Sequence, residues 1–197
     1  MQRRFAIIGH RAPTKGKLNL NDLAGSCGRM DVLVRAVNTA LFISHGMRED
    51  THITLHLMGS DGPPRRIWFA SENLRGLHVD ERAIAGRISK ILQEPIPPIG
   101  HWIEAEGGIR HSGGDIRETL AEWIHENVSI HCLDAEGESI TELDSSEQSI
   151  GFFLSDDLAF NDEEISILKD VRKISLGPTW IQGHACIAIC HHILDSH

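Results

Sequence analysis

The chain has 197 residues, of which 41% are hydrophobic and 24% are charged, a composition typical of a globular domain. Its formal net charge of −9 argues against a general nucleic-acid-binding protein. No apolar run reaches the ~18 residues of a membrane-spanning helix. The spacing of Cys27, Cys132, Cys186 and Cys190 indicates free thiols rather than a disulfide framework. We therefore expect a single domain over residues 1–197, located in the cytoplasm.

The charge is unevenly distributed along the chain. Residues 1–50 contain eight Lys and Arg against four Asp and Glu, whereas residues 51–197 contain eleven against twenty-four. A local basic face can contact phosphates even on an acidic protein, although ordinary surface charge also explains it. The basic residues of this segment are Arg3, Arg4, Arg11, Lys15, Lys17, Arg29, Arg35 and Arg48.

The first third of the chain alternates between strand and helix patterns. An apolar run predicts a strand at 5–9. Apolar residues that recur every three or four positions predict a helix at 31–44. Further on, strands are predicted at 53–58 and 66–70, joined by a turn at 59–64.

The middle of the chain begins with a predicted helix at 80–92, for which Asp80 is a suitable N-cap. A proline-rich stretch then predicts extended structure at 94–100. Paired glycines predict a short hairpin or a loop at 102–114, and a helix is predicted at 115–127.

The last third repeats the alternation. Strands are predicted at 128–133 and 149–154, a helix at 162–171, a strand at 173–176 and a closing helix at 183–194. The acidic run between the first two of these strands predicts a solvated loop. Strands that alternate with helices indicate an α/β protein with a largely parallel sheet, whose ligand loops lie at the carboxyl ends of the strands.

The C-terminal end has the most informative motif. Residues 175–180 read Ser-Leu-Gly-Pro-Thr-Trp and lead into the closing apolar helix. Gly177 can adopt a positive φ, and Pro178 has a fixed φ and no N–H. Such a turn allows backbone groups to approach a ligand closely.

Two further motifs lie near the N-terminus. Residues 18–31 contain Leu-Asn-Leu-Asn-Asp-Leu-Ala-Gly followed by Gly-Arg-Met-Asp, and residues 40–46 read Ala-Leu-Phe-Ile-Ser-His-Gly. With the C-terminal motif, in this order and at this spacing, they resemble the archaeal-type tRNA pseudouridine N1-methyltransferases, a branch of the SPOUT (trefoil-knot) RNA methyltransferases. The resemblance spans nearly the whole chain and is loose only around 92–126.

The resemblance implies a SPOUT-type α/β knot, in which a largely parallel sheet is flanked by helices and a C-terminal trefoil knot holds S-adenosylmethionine. It also implies a homodimer that acts on tRNA, with neither DNA nor a membrane as partner. Three loops and the helix behind them are implied to bind the cofactor. The implied cofactor-binding residues are Leu133, Leu154, Ser155, Ser175, Leu176, Gly177, Pro178, Thr179, Trp180 and Cys186.

The chain departs from the family in two of these loops. Where the family usually has Gly-Asp-His-x-Gly, residues 155–159 read Ser-Asp-Asp-Leu-Ala. If Ser155 or Ala159 needs a positive φ, the loop is strained by ~1 kcal/mol or more and cofactor binding is weakened. Thr179-Trp180 stands where the family favours Leu-Ser, and Trp180 either stacks on adenine or fills the pocket.

Methylation at N1 of pseudouridine requires a uracil held with N1 facing the methyl donor and a group that accepts the N1 proton. Asn19 or Asn21 is suited to hydrogen-bond the uracil edge. Arg11 and Arg29 are suited to the RNA, and Arg29 to phosphate or base carbonyls. The alternative for both asparagines is a role in turns.

Two carboxylates complete the implied catalytic set with Arg29. Asp22 and Asp31 are candidates to orient the substrate or to accept the proton. Alternatively, Asp22 forms an Asx turn and Asp31 lies at a helix N-terminus.

Two alternative functions remain open. The nearest substrate alternative is a pseudouridine in rRNA, and a different class is a catalytically weakened RNA-binding or ribosome-associated protein of the same fold. Cys186 and Cys190 share a helical face near several histidines, but no second ligand pair accompanies them. No metal site is predicted.

Overall fold

In the computed structural model, which describes residues 1–59, 62–143 and 147–196, strands and helices alternate along the chain. The strands are β1 (Gln2–Gly9), β2 (Phe42–Ile43), β3 (Gly46–Met47), β4 (Thr51–Leu57), β5 (Arg65–Ala70), β6 (Ile103–Glu104), β7 (Arg110–Gly113), β8 (Ser129–Ser139), β9 (Ser149–Ser155) and β10 (Arg172–Ser175). The helices are α1 (Met30–Leu41), α2 (Glu81–Ile91), α3 (Ile116–His125), α4 (Asp162–Ile167) and α5 (Gly183–Asp195). Single 3-10 turns lie at Glu106–Gly108 and Ile140–Glu142.

Eight of the described strands form one sheet in the order β10-β8-β9-β1-β4-β5-β7-β6, and β2 pairs with β3 in a separate hairpin. The five strands from β10 to β4 run parallel, whereas β5, β7 and β6 pair antiparallel. The predicted α/β architecture with a largely parallel sheet is confirmed. The hairpin predicted as one possibility within 102–114 is formed by β6 and β7.

The sheet is covered by helices on both faces because its central strands are apolar throughout. On β1, Phe5 and Ile7 belong to a core shared with α1, α2 and α5, while Ala6 and Ile8 belong to a second core with α3. Alternate side chains of a strand point to opposite faces. A strand buried on both faces therefore has a continuous apolar sequence, as Phe5–Ile8 does.

Local signals explain where several helices begin. The Asp80 carboxylate accepts a hydrogen bond from the Ala83 N–H, so the predicted N-cap is confirmed. Asp115 and Asn161 cap α3 and α4, each with a glutamate three residues on that completes a capping box. By contrast, α1 begins after Arg29, whose φ of 61° lies in the left-handed region, with no side-chain cap.

The predicted strand at 128–133 is longer in the structure. β8 extends to Ser139, but its pairing with β10 is interrupted, since Lys173 pairs with Cys132 and the next residue, Ile174, pairs with Glu138. Residues 133–137 therefore bulge away from β10. The acidic run predicted as a loop begins within this strand, and its residues 144–146 lie outside the described part of the chain, as do residues 60–61 of the predicted turn.

Two predicted helices are shorter in the structure. α1 ends at Leu41, because residues 42–47 form the β2–β3 hairpin, and α4 ends at Ile167. The predicted helix at 31–44 is too long because local periodicity contains no information about the hairpin pairing that terminates α1.

Helix α5 is tied to α1 and β1 by a buried histidine. His191 Nε2 donates to the Ala40 carbonyl at 3.1 Å, and its Nδ1 accepts from Arg3 at 3.1 Å. Burial lowers the pKa of His191 to about 3, which keeps the ring neutral and compatible with both bonds. The described helices are too short or too polar to cross a membrane.

Glycine 28 allows the loop before α1 to pass close to the chain that follows β1. Its φ is 56°, and a Cβ atom there would lie 1.8 Å from the Arg11 carbonyl oxygen. We expect Gly28→Ala to lower the free energy of unfolding by at least ~1–2 kcal/mol, the cost of a left-handed residue, with the clash adding to it. Denaturant unfolding followed by circular dichroism measures this change.

Gly86→Ala is the matched control. Gly86 lies within α2, and apart from its chain neighbours and the backbone of its own helix, no described atom lies within 4 Å of a Cβ placed there. Alanine should therefore raise the free energy of unfolding by roughly 0.5–1 kcal/mol. Equal effects of the two substitutions would contradict the close approach at Gly28.

Candidate active site

A cavity of about 230 Å³ lies at the carboxyl ends of β8, β9 and β10. The parallel direction of these strands brings three segments to one edge of the sheet: the β8 bulge, residues 156–161 after β9 and residues 176–182 after β10. The first turn of α5 closes the cavity from behind. This is where parallel α/β proteins bind ligands.

Most residues implied to bind the cofactor line this cavity. They are Leu133, Leu154, Ser155, Leu176, Gly177, Thr179, Trp180 and Cys186. Sequence reasoning gave no role to several others, because only the fold brings these residues to the cavity. These are Asp134, Ala135, Phe160, Ile165, Lys173, Ile181 and Gly183.

Ser175 and Pro178 are not among the lining residues. The Ser175 hydroxyl contacts the Ala135 carbonyl at 3.0 Å and accepts the Gly177 N–H at 3.0 Å. Ser175 therefore ties the third loop to the β8 bulge instead of facing the cavity. Gly177 has a φ of 118°, which agrees with the positive φ that the motif allows.

The loop after β9 is free of the strain expected from its missing glycines. Among the described non-glycine residues, only Arg29 and Asn127 have a positive φ, so Ser155 and Ala159 do not. Side chains instead shape this loop. The Ser155 hydroxyl donates to the Leu158 carbonyl, and Asp156 Oδ1 accepts the Leu158 N–H at 2.9 Å.

Trp180 stands at the rim of the cavity and does not fill it. Its side chain is 77% exposed, although the residue contributes to the lining. Leu158, Ile165 and Ile181 also line the cavity and are exposed apolar residues. The rim is therefore unusually apolar for a surface of this acidic protein.

The polar groups of the cavity are few. Lys173 Nζ lies 2.7 Å from Asp134 Oδ2, and this hydrogen bond lowers the pKa of Asp134. Burial raises the pKa of the Cys186 thiol to about 11 and that of Cys132 to about 12. Both thiols are thus protonated near neutral pH and are poor nucleophiles.

The Asn-Asp motif forms an exposed, self-bonded loop between β1 and α1. Asn19 Oδ1 accepts the Asn21 N–H at 3.1 Å, an Asx turn. Asp22 accepts the N–H groups of Gly25 and Ser26 at 2.9 Å, and these bonds lower the pKa of Asp22. The turn-forming alternative for Asn19 and Asp22 is therefore present in the structure.

Arg29 is held by carboxylates on two sides. Its guanidinium contacts Asp31 at 2.9 and 3.2 Å, and Asp31 also accepts from Arg35 at 2.7 Å. Burial opposes the charge of Asp31, but the hydrogen bond and the charges of Arg29 and Arg35 outweigh it and lower the pKa of Asp31. Asp31 is therefore a weak base whose contacts orient Arg29.

Asp157 connects the arginines predicted to contact RNA with the loop predicted to contact the cofactor. Its Oδ2 accepts from Arg29 Nη1 at 3.0 Å and also from Arg11. The neighbours of Asp157 in the sequence, Asp156 and Leu158, line the cavity. The two arginines predicted to contact RNA are thereby placed directly beside the loop predicted to contact the cofactor, 128 or more residues away in the sequence.

His10 forms a third cluster, which sequence reasoning missed. Its ring lies between Asp156 at 2.8 Å and Glu164 at 3.0 Å. The hydrogen bonds to Asp156 and then Glu164 raise the pKa of His10 from 6.5 to about 9. The one available signal was its position just after a predicted strand, where ligand loops of parallel sheets begin.

Together, the fold and the cavity define an α/β protein whose ligand site is formed by loops. Two arginines that share one aspartate lie next to this site. Residues 2–197 match the model of the family described as "Putative SAM-dependent RNA methyltransferase". The chain belongs to this family of S-adenosylmethionine-dependent RNA methyltransferases.

Similar proteins support this assignment. The chain is 40% identical to a tRNA (pseudouridine(54)-N(1))-methyltransferase of Methanospirillum hungatei, over 96% of this chain and 94% of that one. It is 35% identical to the protein of the same name from Methanococcoides burtonii, over 98% and 96%.

A solved structure supports the fold. Archaeoglobus fulgidus Nep1 bound to S-adenosylhomocysteine is similar over the full length of both chains, with a TM-score of 0.65 and 13% identity. At this identity, the likeness concerns the fold alone.

The His10 cluster makes stability depend on pH. Because the folded pKa of about 9 exceeds the ordinary value of 6.5, the contribution is fully present below pH 6.5 and is lost as the pH rises through 9. We expect the melting temperature to fall between pH 6.5 and 9.5, and to fall less in His10→Gln. Parallel pH profiles of the two proteins would contradict this assignment.

Proposed function

We propose that this chain transfers the methyl group of S-adenosylmethionine to N1 of pseudouridine 54 in tRNA. The observation that carries the proposal is the contact of Asp157 with Arg11 and Arg29, which places basic RNA-binding candidates next to the cofactor loops. The names of the similar archaeal proteins support the particular reaction and substrate.

The cavity suits the proposed cofactor. Leu133, Leu154 and Leu176 offer apolar surfaces to pack against an adenine, while the backbone around Gly177 offers N–H and C=O groups to its edge. Neither Ser155 nor Ala159 has a positive φ. Backbone strain at these positions is therefore no longer an argument for a catalytically weakened protein. When bound, S-adenosylmethionine supplies an activated methyl group on a sulfonium.

On the substrate side, positive charge and orientation are the contributions of the chain. Arg11 and Arg29 attract the RNA and contact its phosphates or base carbonyls. Asn21 is exposed, and Asn19 holds the turn beside it, so this loop approaches the uracil edge. The low pKa of Asp22 and of Asp31 favours their role as orienters over proton acceptance.

The assembly belongs to the same proposal. We infer a homodimer, because the exposed apolar rim of Leu158, Ile165, Trp180 and Ile181 is a surface that a second copy would cover. We also infer a cytoplasmic location, where an enzyme that acts on tRNA meets its substrate. We also infer a C-terminal trefoil knot within a single domain. The edge position of β10, followed by α5 packed against α1, supports this inference.

Cofactor binding is the first expected outcome. Calorimetric titration with S-adenosylmethionine should give a micromolar Kd with one site per chain, and Gly177→Ala should weaken it about tenfold or more because alanine strains the φ of 118°. Gly100→Ala is the matched control, since Gly100 also has a positive φ and open space but lies away from the cavity. No heat at millimolar ligand would contradict the proposal.

Methyl transfer should depend on Arg29. We expect Arg29→Ala to slow methylation of a tRNA with pseudouridine 54 on the order of 100-fold, as loss of substrate positioning does. The melting temperature should change little, because Arg35 still pairs with Asp31. The measurement is transfer of labelled methyl to tRNA, with the same tRNA carrying uridine 54 as the blank.

The matched control is Arg75→Ala. Arg75 is exposed and lies in the loop after β5, at the edge where the parallel strands begin, opposite the cavity. Its removal should leave methyl transfer unchanged. If Arg29→Ala and Arg75→Ala are equally active, Arg29 has no part in the reaction. Preferential methylation of an rRNA fragment over tRNA would favour the rRNA alternative.

A further inference from the structure

Three charged side chains meet beneath the loop after β9. The side chains of His10, Asp156 and Glu164 are 12%, 1% and 5% exposed. They come from the end of β1, the loop after β9 and helix α4, so each belongs to a different element. Burying charges costs free energy unless they are paired and hydrogen-bonded. The fold therefore has to supply each of these three groups with partners.

His10 bridges the two carboxylates through both ring nitrogens. Nδ1 donates to Asp156 Oδ1 at 2.8 Å, and Nε2 donates to Glu164 Oε2 at 3.0 Å. The backbone N–H of His10 donates to Asp156 Oδ2 at 2.9 Å. An imidazole that donates from both nitrogens is protonated, so His10 supplies a cation between two buried anions.

Each carboxylate in turn holds the backbone of the cofactor loop. Asp156 Oδ1 accepts the Leu158 N–H at 2.9 Å, and Glu164 Oε2 accepts the Asn161 N–H at 2.9 Å. Between these two points lie Leu158, Ala159 and Phe160, which line the cavity. His10 thus contacts both of the carboxylates that accept backbone N–H groups from this wall of the cavity.

We propose that His10 is a positioning residue for the cofactor, whose imidazolium holds residues 156–161 in the conformation that closes the cavity. The inference rests on the proposed function. Without the cation, two buried carboxylates on opposite sides of the ring lose their shared counter-charge, and their repulsion weakens the hold on the loop. His10 acts through Asp156 and Glu164, without touching the cofactor itself.

The surroundings allow the protonation of His10 to be followed separately. The groups that face its ring are Asp156 and Glu164, and the neighbouring Arg11 is paired with Asp157. The thiols of Cys186 and Cys132 titrate near 11 and 12. The α-ammonium group of S-adenosylhomocysteine also loses its proton in this pH range, so a change in affinity reports His10 only where it differs between the wild type and His10→Gln.

The test is calorimetric titration with S-adenosylhomocysteine of the wild type and His10→Gln, from pH 7 to pH 10. We expect His10→Gln to bind about tenfold more weakly at pH 7.5, with a smaller change in Kd near pH 9 than the wild type. The wild-type Kd should rise toward that of the variant above pH 9. His78→Gln, an exposed histidine on the loop after β5, is the matched control and should behave as the wild type.

Glu164→Gln provides a second readout. Glutamine keeps an oxygen for the Asn161 N–H but removes one anion, so the midpoint of the pH dependence should move below 9. An unchanged midpoint would overturn the proposal. So would a His10→Gln variant that binds the ligand with wild-type affinity, whether or not its melting temperature is lower. A wild type that binds no ligand at any pH would instead contradict the proposed function.

Discussion

The parallel pairing of β1 with two neighbours is the constraint on which the site depends. β1 lies between β9 and β4 and pairs with both in parallel register, with Ile7 opposite Leu154 on one side and Leu55 on the other. Parallel strands buried on both faces must all end at the same edge. The loops after β1, β9 and β10 and the bulge of β8 therefore converge, although they are far apart in the sequence.

Ionic contacts then set the relative position of these loops. Arg11 and Arg29 hold Asp157 on one side of the loop after β9, while His10 holds Asp156 on the other. Exposed ion pairs contribute little to stability, so the contacts of the partly exposed Arg11 matter for geometry more than for folding. The His10 cluster is nearly buried, and there the removal of one charge leaves an unpaired partner.

The loop after β9 adopts an ordinary backbone conformation without the glycines of the family pattern. A glycine in a family pattern indicates either a positive φ or a lack of space, and the sequence does not distinguish them. Here Ser155 and Ala159 avoid the left-handed region. Hydrogen bonds from the Ser155 hydroxyl and to the Asp156 carboxylate shape the turn instead. The sequence made strain conditional on a positive φ at Ser155 or Ala159, and that condition is not met.

The sequence by itself determined the local structure and the family. Apolar periodicity placed the central strands and α5, Asp80 marked the start of α2, and three motifs carried the resemblance that implied the cofactor loops. Only the tertiary structure decided that β8 bulges at 133–137, that Ser175 braces the cavity without lining it, and that His10 meets Glu164. The physical reason is range: periodicity and capping depend on neighbours within a few residues, whereas these contacts join residues up to 154 positions apart and exist only once the strand order is set.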